Sequence, residues 1–203
     1  VDLGPVEVVL IEPGAMSRMS SNMKSSFKRQ GSFFSAIFRK MFGGENFFLG
    51  KYEHPNGGSL TFAPSIPGHV VHRQLSNNSL NVMAGCFLAC TPGVNIKAKF
   101  GGLKAFFSGE GAFLLEASGS GDLFFNSFGG IVKKEINGEF IVDTGHVVAF
   151  DSSLNYSITG MGNFKSTMLS GEGLVMKFKG AGTLYLQTRN VSSVASWLTP
   201  RLL

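Results

Sequence analysis

Cysteine is nearly absent from this chain of 203 residues, which has only Cys86 and Cys90. That excludes a small secreted scaffold held by disulfides. In one alternating strand the two would lie on the same side, about 13 Å apart, too far to bridge. They read as two small buried hydrophobes in a reducing compartment. Proline is scarce, at 7, and has no collagen-like period. No apolar run approaches the roughly 18 residues of a helical membrane span. No secretory signal pattern is visible, so a cytoplasmic location is expected. Charged residues are only 15% against 43% apolar, which excludes disorder as a description of the whole chain.

Glycine and phenylalanine are plentiful, at 27 and 20. Together they suit many short strands, tight turns and stacked sheets. The formal charge of +5 permits an anionic partner without requiring one.

Two patterns each occur three times, in the same order, at a period of about 60–70 residues. The first is a glycine turn leading into a strand: Pro13-Gly14-Ala15-Met16, Ala84-Gly85-Cys86-Phe87 and Thr144-Gly145-His146-Val147. The second is a Gly-Glu step before an apolar run: Gly44-Glu45, Gly109-Glu110 and Gly171-Glu172, with a bulge or tight strand entry expected at each glycine. Each copy then runs into a Gly-rich stretch, at Asn56-Gly57-Gly58, Ser118-Gly119-Ser120-Gly121 and Gly180-Ala181-Gly182, which reads as a hairpin. Phe140-Ile141-Val142 and Val147-Val148-Ala149-Phe150 likewise read as a hairpin around Asp143-Thr144-Gly145, with a glycine at positive φ.

The expectation is a single all-β domain over 1–203, with three pseudo-repeats at 5–66, 67–132 and 133–190 packed as a sandwich or prism. Two helices are expected. Asn190 caps one over 191–199, with Val191, Val194, Ala195 and Leu198 on one face; Pro200 ends it, and Trp197 plugs the end of the sandwich. The other spans 32–42, where Phe33, Phe34, Ile37, Phe38, Met41 and Phe42 form a stripe opposite Arg39 and Lys40.

Catalytic signatures are missing. No glycine stretch reads as a P-loop or dinucleotide fingerprint, and no serine sits in a nucleophile elbow. His69, His72 and His146 with a cysteine compose a zinc site only on paper, since there is no close Cys pair and no His-Glu-x-x-His. His146 reads as an ordinary residue beside a turn, and His54 as an exposed loop residue before Pro55. Glu45, Glu110 and Glu172 read as local partners of backbone N–H groups or lysines, not as a cation-binding ring or a catalytic pair. No catalytic residue, cofactor or metal is expected. The candidate interaction surface is Phe33, Phe34, Ile37, Phe38, Arg39 and Lys40, with Lys97 and Lys99 from a second basic cluster.

The segments Gly44-Glu45-Asn46-Phe47-Phe48-Leu49-Gly50 and Gly57-Gly58-Ser59-Leu60-Thr61-Phe62-Ala63-Pro64 resemble the AIM24 family, and the resemblance covers nearly the whole chain. Pro13-Gly14-Ala15-Met16, Ser108-Gly109-Glu110-Gly111-Ala112-Phe113-Leu114 and Gln187-Thr188-Arg189-Asn190 carry it too. The resemblance implies an all-β, TRAP-like fold, compared with that of the tryptophan RNA-binding attenuation protein, in a family of unknown function. It also implies bacterial, archaeal or fungal mitochondrial relatives, the last associated with inner-membrane organisation. It transfers neither RNA nor tryptophan binding, because function does not follow from fold. The reading is a non-catalytic homo-oligomeric scaffold or interaction protein, able to take a protein partner. The alternatives are a nucleic-acid-binding regulatory module and a peripheral membrane organiser on an anionic surface.

Overall fold

The computed structural model of the protein describes residues 1–29, 48–100, 113–160 and 174–202. The fold is all-β and TRAP-like, with fourteen strands, every strand pair antiparallel, and one short C-terminal α-helix among the described residues.

The element order recurs three times. In the second unit, β7 (Val70–Met83) leads through a 3₁₀ turn at Ala84–Cys86 into β8 (Phe87–Cys90), then β9 (Val94–Phe100) and β10 (Phe113–Asn126). In the third, β11 (Ile131–Asp143) leads through a turn at Thr144–His146 into β12 (Val147–Asp151), β13 (Asn155–Gly160) and β14 (Leu174–Gln187). The first unit has the same path with its long strands cut in two. There β1 (Asp2–Leu3) and β2 (Val8–Ile11) stand for the first long strand. Then come β3 (Met16–Met19) and β4 (Lys24–Arg29), with β5 (Phe48–Glu53) and β6 (Gly58–Phe62) for the last.

The long strands cross between layers. Strand β10 pairs with β7 along its whole length, while its other edge takes β9 in the first half and β8 in the second. Strand β14 treats β11, β13 and β12 in the same way. The change of neighbour falls at the glycines. Gly119 and Gly121 have φ of 119° and 148°, Gly180 has 123°, and the β10–β7 register shifts between Gly119 and Ser120. These stretches are therefore bends inside continuous strands, not the hairpins read from sequence. A strand can turn a corner between packed sheets where a bulge or a left-handed glycine lets it. Only at Asn56-Gly57 does the chain break into two strands, and those do not pair with each other.

The expected hairpin around Asp143-Thr144-Gly145 is also a corner. Strand β12 pairs with β14 and β7, and not with β11. Of the three turn glycines, Gly14 has a positive φ, at 82°, whereas Gly85 and Gly145 do not. Gly145 is needed for a different reason: a Cβ there would lie 2.0 Å from Asn190 Nδ2.

Short strands bind the units together. Strand β8 lies between its own β10 and β2 of the first unit, with Leu10 opposite Cys90 and Ile11 opposite Ala89. Strand β12 lies between β14 and β7, with Val82 opposite Ala149, Asn81 opposite Phe150 and Leu80 opposite Asp151. Both short strands are apolar runs with their first four residues buried, as the continuous hydrophobic stretches predict. The core forms three apolar clusters, one around each unit, and Leu88 and Ala89 of β8 belong to the first unit's cluster. The linkers stack at one end: Gly68 bridges Gly129, and Gly130 N–H donates to Thr188 Oγ1 at 2.8 Å.

Helix α1 (Val191–Leu198) is capped as expected: Asn190 Oδ1 accepts from the N–H groups of Ser192 and Ser193, at 2.9 and 3.4 Å. Pro200 sits in the 3₁₀ turn that follows. The helix does not plug the sandwich. All its residues are exposed, Trp197 by 59%, because the capped helix leads away from the sheets instead of lying over them.

Candidate interaction surface

The turns of the second and third units and the start of α1 enclose a cleft of about 190 Å³. Its polar groups are engaged in holding the turns. Gln187 Nε2 donates to Gly145 O at 2.7 Å, and its Oε1 accepts from Phe128 N–H at 2.9 Å. Asp143 Oδ1 accepts from Gly145 N–H at 2.7 Å. His146 Nδ1 donates to Gln187 O at 2.8 Å, the structural role read for it from sequence.

Cys86 lines this cleft, and Glu12 is close enough to act on it. Burial pushes the Glu12 carboxyl up from 4.5 to about 7. Burial, and then the Glu12 charge, push the Cys86 thiol up to about 12. A thiol held so high is not a nucleophile at neutral pH. Cys86 sits in the 3₁₀ turn and Cys90 at the end of β8, not in one strand as the spacing suggested; both are buried and neither forms a disulfide. Among the described residues no group of three His, Cys, Asp or Glu side chains is placed to hold a metal ion.

His54 is not an exposed loop residue. It is buried at 9% exposure, where Nδ1 accepts from Asn56 N–H at 3.2 Å and Nε2 donates to Ser21 O at 2.9 Å. Its imidazole ties the turn between β3 and β4 to the turn before β6, so the ring is a core bracket. His72 is on the surface, 2.7 Å from Asp122 and stacked on Phe124.

Phe33, Phe34, Ile37, Phe38, Arg39 and Lys40 lie outside the described residues, as do Glu45, Glu110 and Glu172 and the glycines before them. Lys97 is exposed on β9. Lys99, two residues on, is held by Glu116 of β10 at 2.6 Å. The two lysines share a strand, but Lys99 is already paired.

Comparison of equivalent strands locates a surface the sequence reading missed. Phe87 and Cys90 of β8 are 1% and 0% exposed, and Val147 and Phe150 of β12 are 2% and 0%. At the matching places in β3, Met16 and Met19 are 38% and 43% exposed. Leu10 of β2 and Asn81 of β7 are 0% and 3% exposed, whereas the matching Ile141 of β11 is 57%. Among the described residues β3 pairs only with β6, and β11 only with β14. Two apolar edges that are covered elsewhere in the molecule are therefore bare here. The first repeat did carry a signal: Ser17 and Arg18 stand where the other copies have Leu88-Ala89 and Val148-Ala149.

The arrangement of these strands is matched by known proteins. The family model described as mitochondrial biogenesis AIM24 matches residues 1–189. The chain belongs to the AIM24 family. An uncharacterized protein of Streptococcus pyogenes serotype M6 is 31% identical over 207 residues, covering 98% of this chain and 84% of the relative. The X-ray crystal structure of a Streptococcus pyogenes protein, solved as a structural genomics target, superposes with a TM-score of 0.82 at 31% identity. That match covers 100% of this chain and 92% of the other. The solved relative carries the fold over the whole length of this chain.

Proposed function

We propose that this AIM24 chain is a non-catalytic scaffold that works as a homo-oligomer and receives a protein partner. The observation that carries the reading is the bare pair of edges on β3 and β11. Met16, Met19 and Ile141 are exposed where their counterparts are buried, and exposed strand edges with apolar side chains are stable in solution when something pairs with them. Self-association covers them without a second gene product.

Helix α1 supports the partner-binding half of the reading. Val191, Val194, Trp197 and Leu198 share a stripe at helical spacing and are 36–59% exposed. The Cys86 thiol, pushed up by burial and by the Glu12 charge, stays protonated at neutral pH, which supports a structural role for it. The membrane reading rests on residues 32–42, outside the described residues. The nucleic-acid reading adds Lys24, Lys28 and Arg29 of β4 and Lys97, Lys99 and Lys104, of which Lys24 and Lys97 are exposed, Lys99 is paired and Lys104 lies outside the described residues.

Light scattering after size exclusion, with native mass spectrometry, tests the proposal at micromolar concentration. A discrete oligomer is expected. A monomer at every concentration overturns the oligomeric reading.

A further inference from the structure

We infer that β3 of one copy pairs antiparallel with the C-terminal half of β11 of a second copy, with Met19 opposite Ile141. This rests on the oligomeric reading above and names how the oligomer is built. The inference comes from the two joins that the chain makes within itself. Both are antiparallel, and both have the same register when counted from the turn glycines Gly14, Gly85 and Gly145. At the first join, Ile11 and Leu10 of β2 lie opposite Ala89 and Cys90 of β8. At the second, Val82 and Asn81 of β7 lie opposite Ala149 and Phe150 of β12. The strand before one glycine is thus paired with the strand after the next glycine, at a fixed offset.

Three units contain three of each half-join, and two pairs are used. The halves left over are the strand after Gly14, which is β3, and the strand before Gly145, which is the end of β11. Counting the same offset places Val142 opposite Arg18, Ile141 opposite Met19 and Phe140 opposite Ser20. The chemistry of this register is coherent. Met19, at 43% exposure, and Ile141, at 57%, would cover each other as a cross-strand apolar pair. By the same count Ser17 would lie opposite Asp143, a polar pair at the edge of the ladder. Strand β3 already has its inner edge on β6, with Met19 opposite Leu60, as Cys90 is opposite Leu123 in β8 and Phe150 opposite Leu184 in β12. Its outer edge therefore presents the positions that β8 and β12 present to their neighbours.

A second copy supplies both missing partners at once. Each chain has one β3 and one β11, so the contact is head-to-tail: the β3 of each copy is used on one side and its β11 on the other. Such a contact continues from copy to copy until it closes into a ring, and forms a filament if it does not close.

Disulfide trapping in the full chain tests the register. Met19→Cys protein is mixed with Ile141→Cys protein and oxidised without denaturant; native Cys86 and Cys90 are 6% and 0% exposed and stay out of the reaction. A cross-linked dimer is expected in the mixture and in neither protein alone. No cross-link in the mixture overturns the join, as does an equal cross-link in either protein alone, which would mean like edges meet. The double variant Met19→Cys/Ile141→Cys should yield a ladder of cross-linked species; a closed monomer would place the two edges together within one chain and overturn the inference. Separately, Ile141→Lys should convert the oligomer to monomer with an unchanged circular dichroism spectrum. If Ile141→Lys and Met19→Lys both leave a discrete oligomer intact, the join is wrong and the oligomeric reading stands. If the unmodified protein is a monomer, both fall.

Discussion

The guanidinium of Arg73 lies 2.7 Å from the carboxylate of Asp151, and the two side chains belong to different repeats. Arg73, on β7, also donates to the Tyr185 hydroxyl at 3.1 Å, and the second oxygen of Asp151 accepts from Thr183 N–H at 2.8 Å. Both charged side chains are 21% exposed, so the pair is largely out of water without being sealed. It fastens β12 to the neighbouring unit beyond the short stretch where their backbones pair.

Arg73→Met should therefore cost more than an ordinary surface ion pair. Removing the cation leaves Asp151 with one backbone donor in a mostly dry place. The expected loss is about 1–3 kcal/mol, between the values for exposed and buried pairs. Urea unfolding measures it, and a midpoint unchanged from the parent protein would show the pair to be neutral.

Glu12 makes stability depend on pH in a stated direction. Its carboxyl titrates near 7 in the folded protein against 4.5 ordinarily, because burial disfavours the charge. The folded state therefore holds this proton more tightly than the unfolded state does. The contribution is full below about 4.5, is lost as pH rises toward 7, and stays lost above. Glu12→Gln should remove that slope and raise stability at pH 8 on the order of 2 kcal/mol. Thermal melts of both proteins at pH 5 and pH 8 check it; parallel curves would contradict it.

The stacked linkers predict a sharp contrast between two glycines. A Cβ on Gly68 would sit 1.7 Å from the carbonyl oxygen of Ser127, whereas one on Gly85 meets nothing within 4 Å. Gly68→Ala should lose more than about 3 kcal/mol or fail to accumulate. Gly85→Ala should melt within a degree or two of the parent, as exposed substitutions without a special contact do. Equal melting temperatures for the two variants would refute the close approach.

Trp197 is the one tryptophan in the sequence, so tryptophan emission, excited beyond the tyrosine band, reports on α1 alone. At 59% exposure it should emit like indole in water and be readily quenched by acrylamide. Addition of a partner that docks on the helix stripe should shift the emission to the blue and protect it. Emission already blue and protected in the protein alone would show that the helix lies on its own sheets.

Much of this architecture was legible in the residues. The turns at Gly14, Gly85 and Gly145 mark the repeat, the apolar runs Phe87-Leu88-Ala89-Cys90 and Val147-Val148-Ala149-Phe150 are the strands read after them, and Asn190 caps its helix. What was not legible is who pairs with whom. A glycine pair inside a bent strand and a glycine pair at a hairpin tip look alike in sequence, since both need conformations that other residues avoid. Ser118-Gly119-Ser120-Gly121 became a bend because β9 and β8, both distant along β10, take its two halves. His54 looked like a loop residue for the same kind of reason: Ser21, which fixes its ring, is 33 residues away. The bare edge at Met19 and Ile141 could have been noticed from the polar Ser17 and Arg18, but its meaning needed the register of the two joins that are made.

Strand β8 completes the first unit's sheet while it closes its own, and β12 does the same for the second. The borders between repeats in sequence are therefore not borders in stability. Cutting the chain after one repeat would not release a small independent module; it would strip a strand from the repeat left behind and bare a fresh apolar edge. A linear array of repeats can fray from its ends one at a time, but a chain whose members each finish the one before must be inherited, folded and lost as a whole.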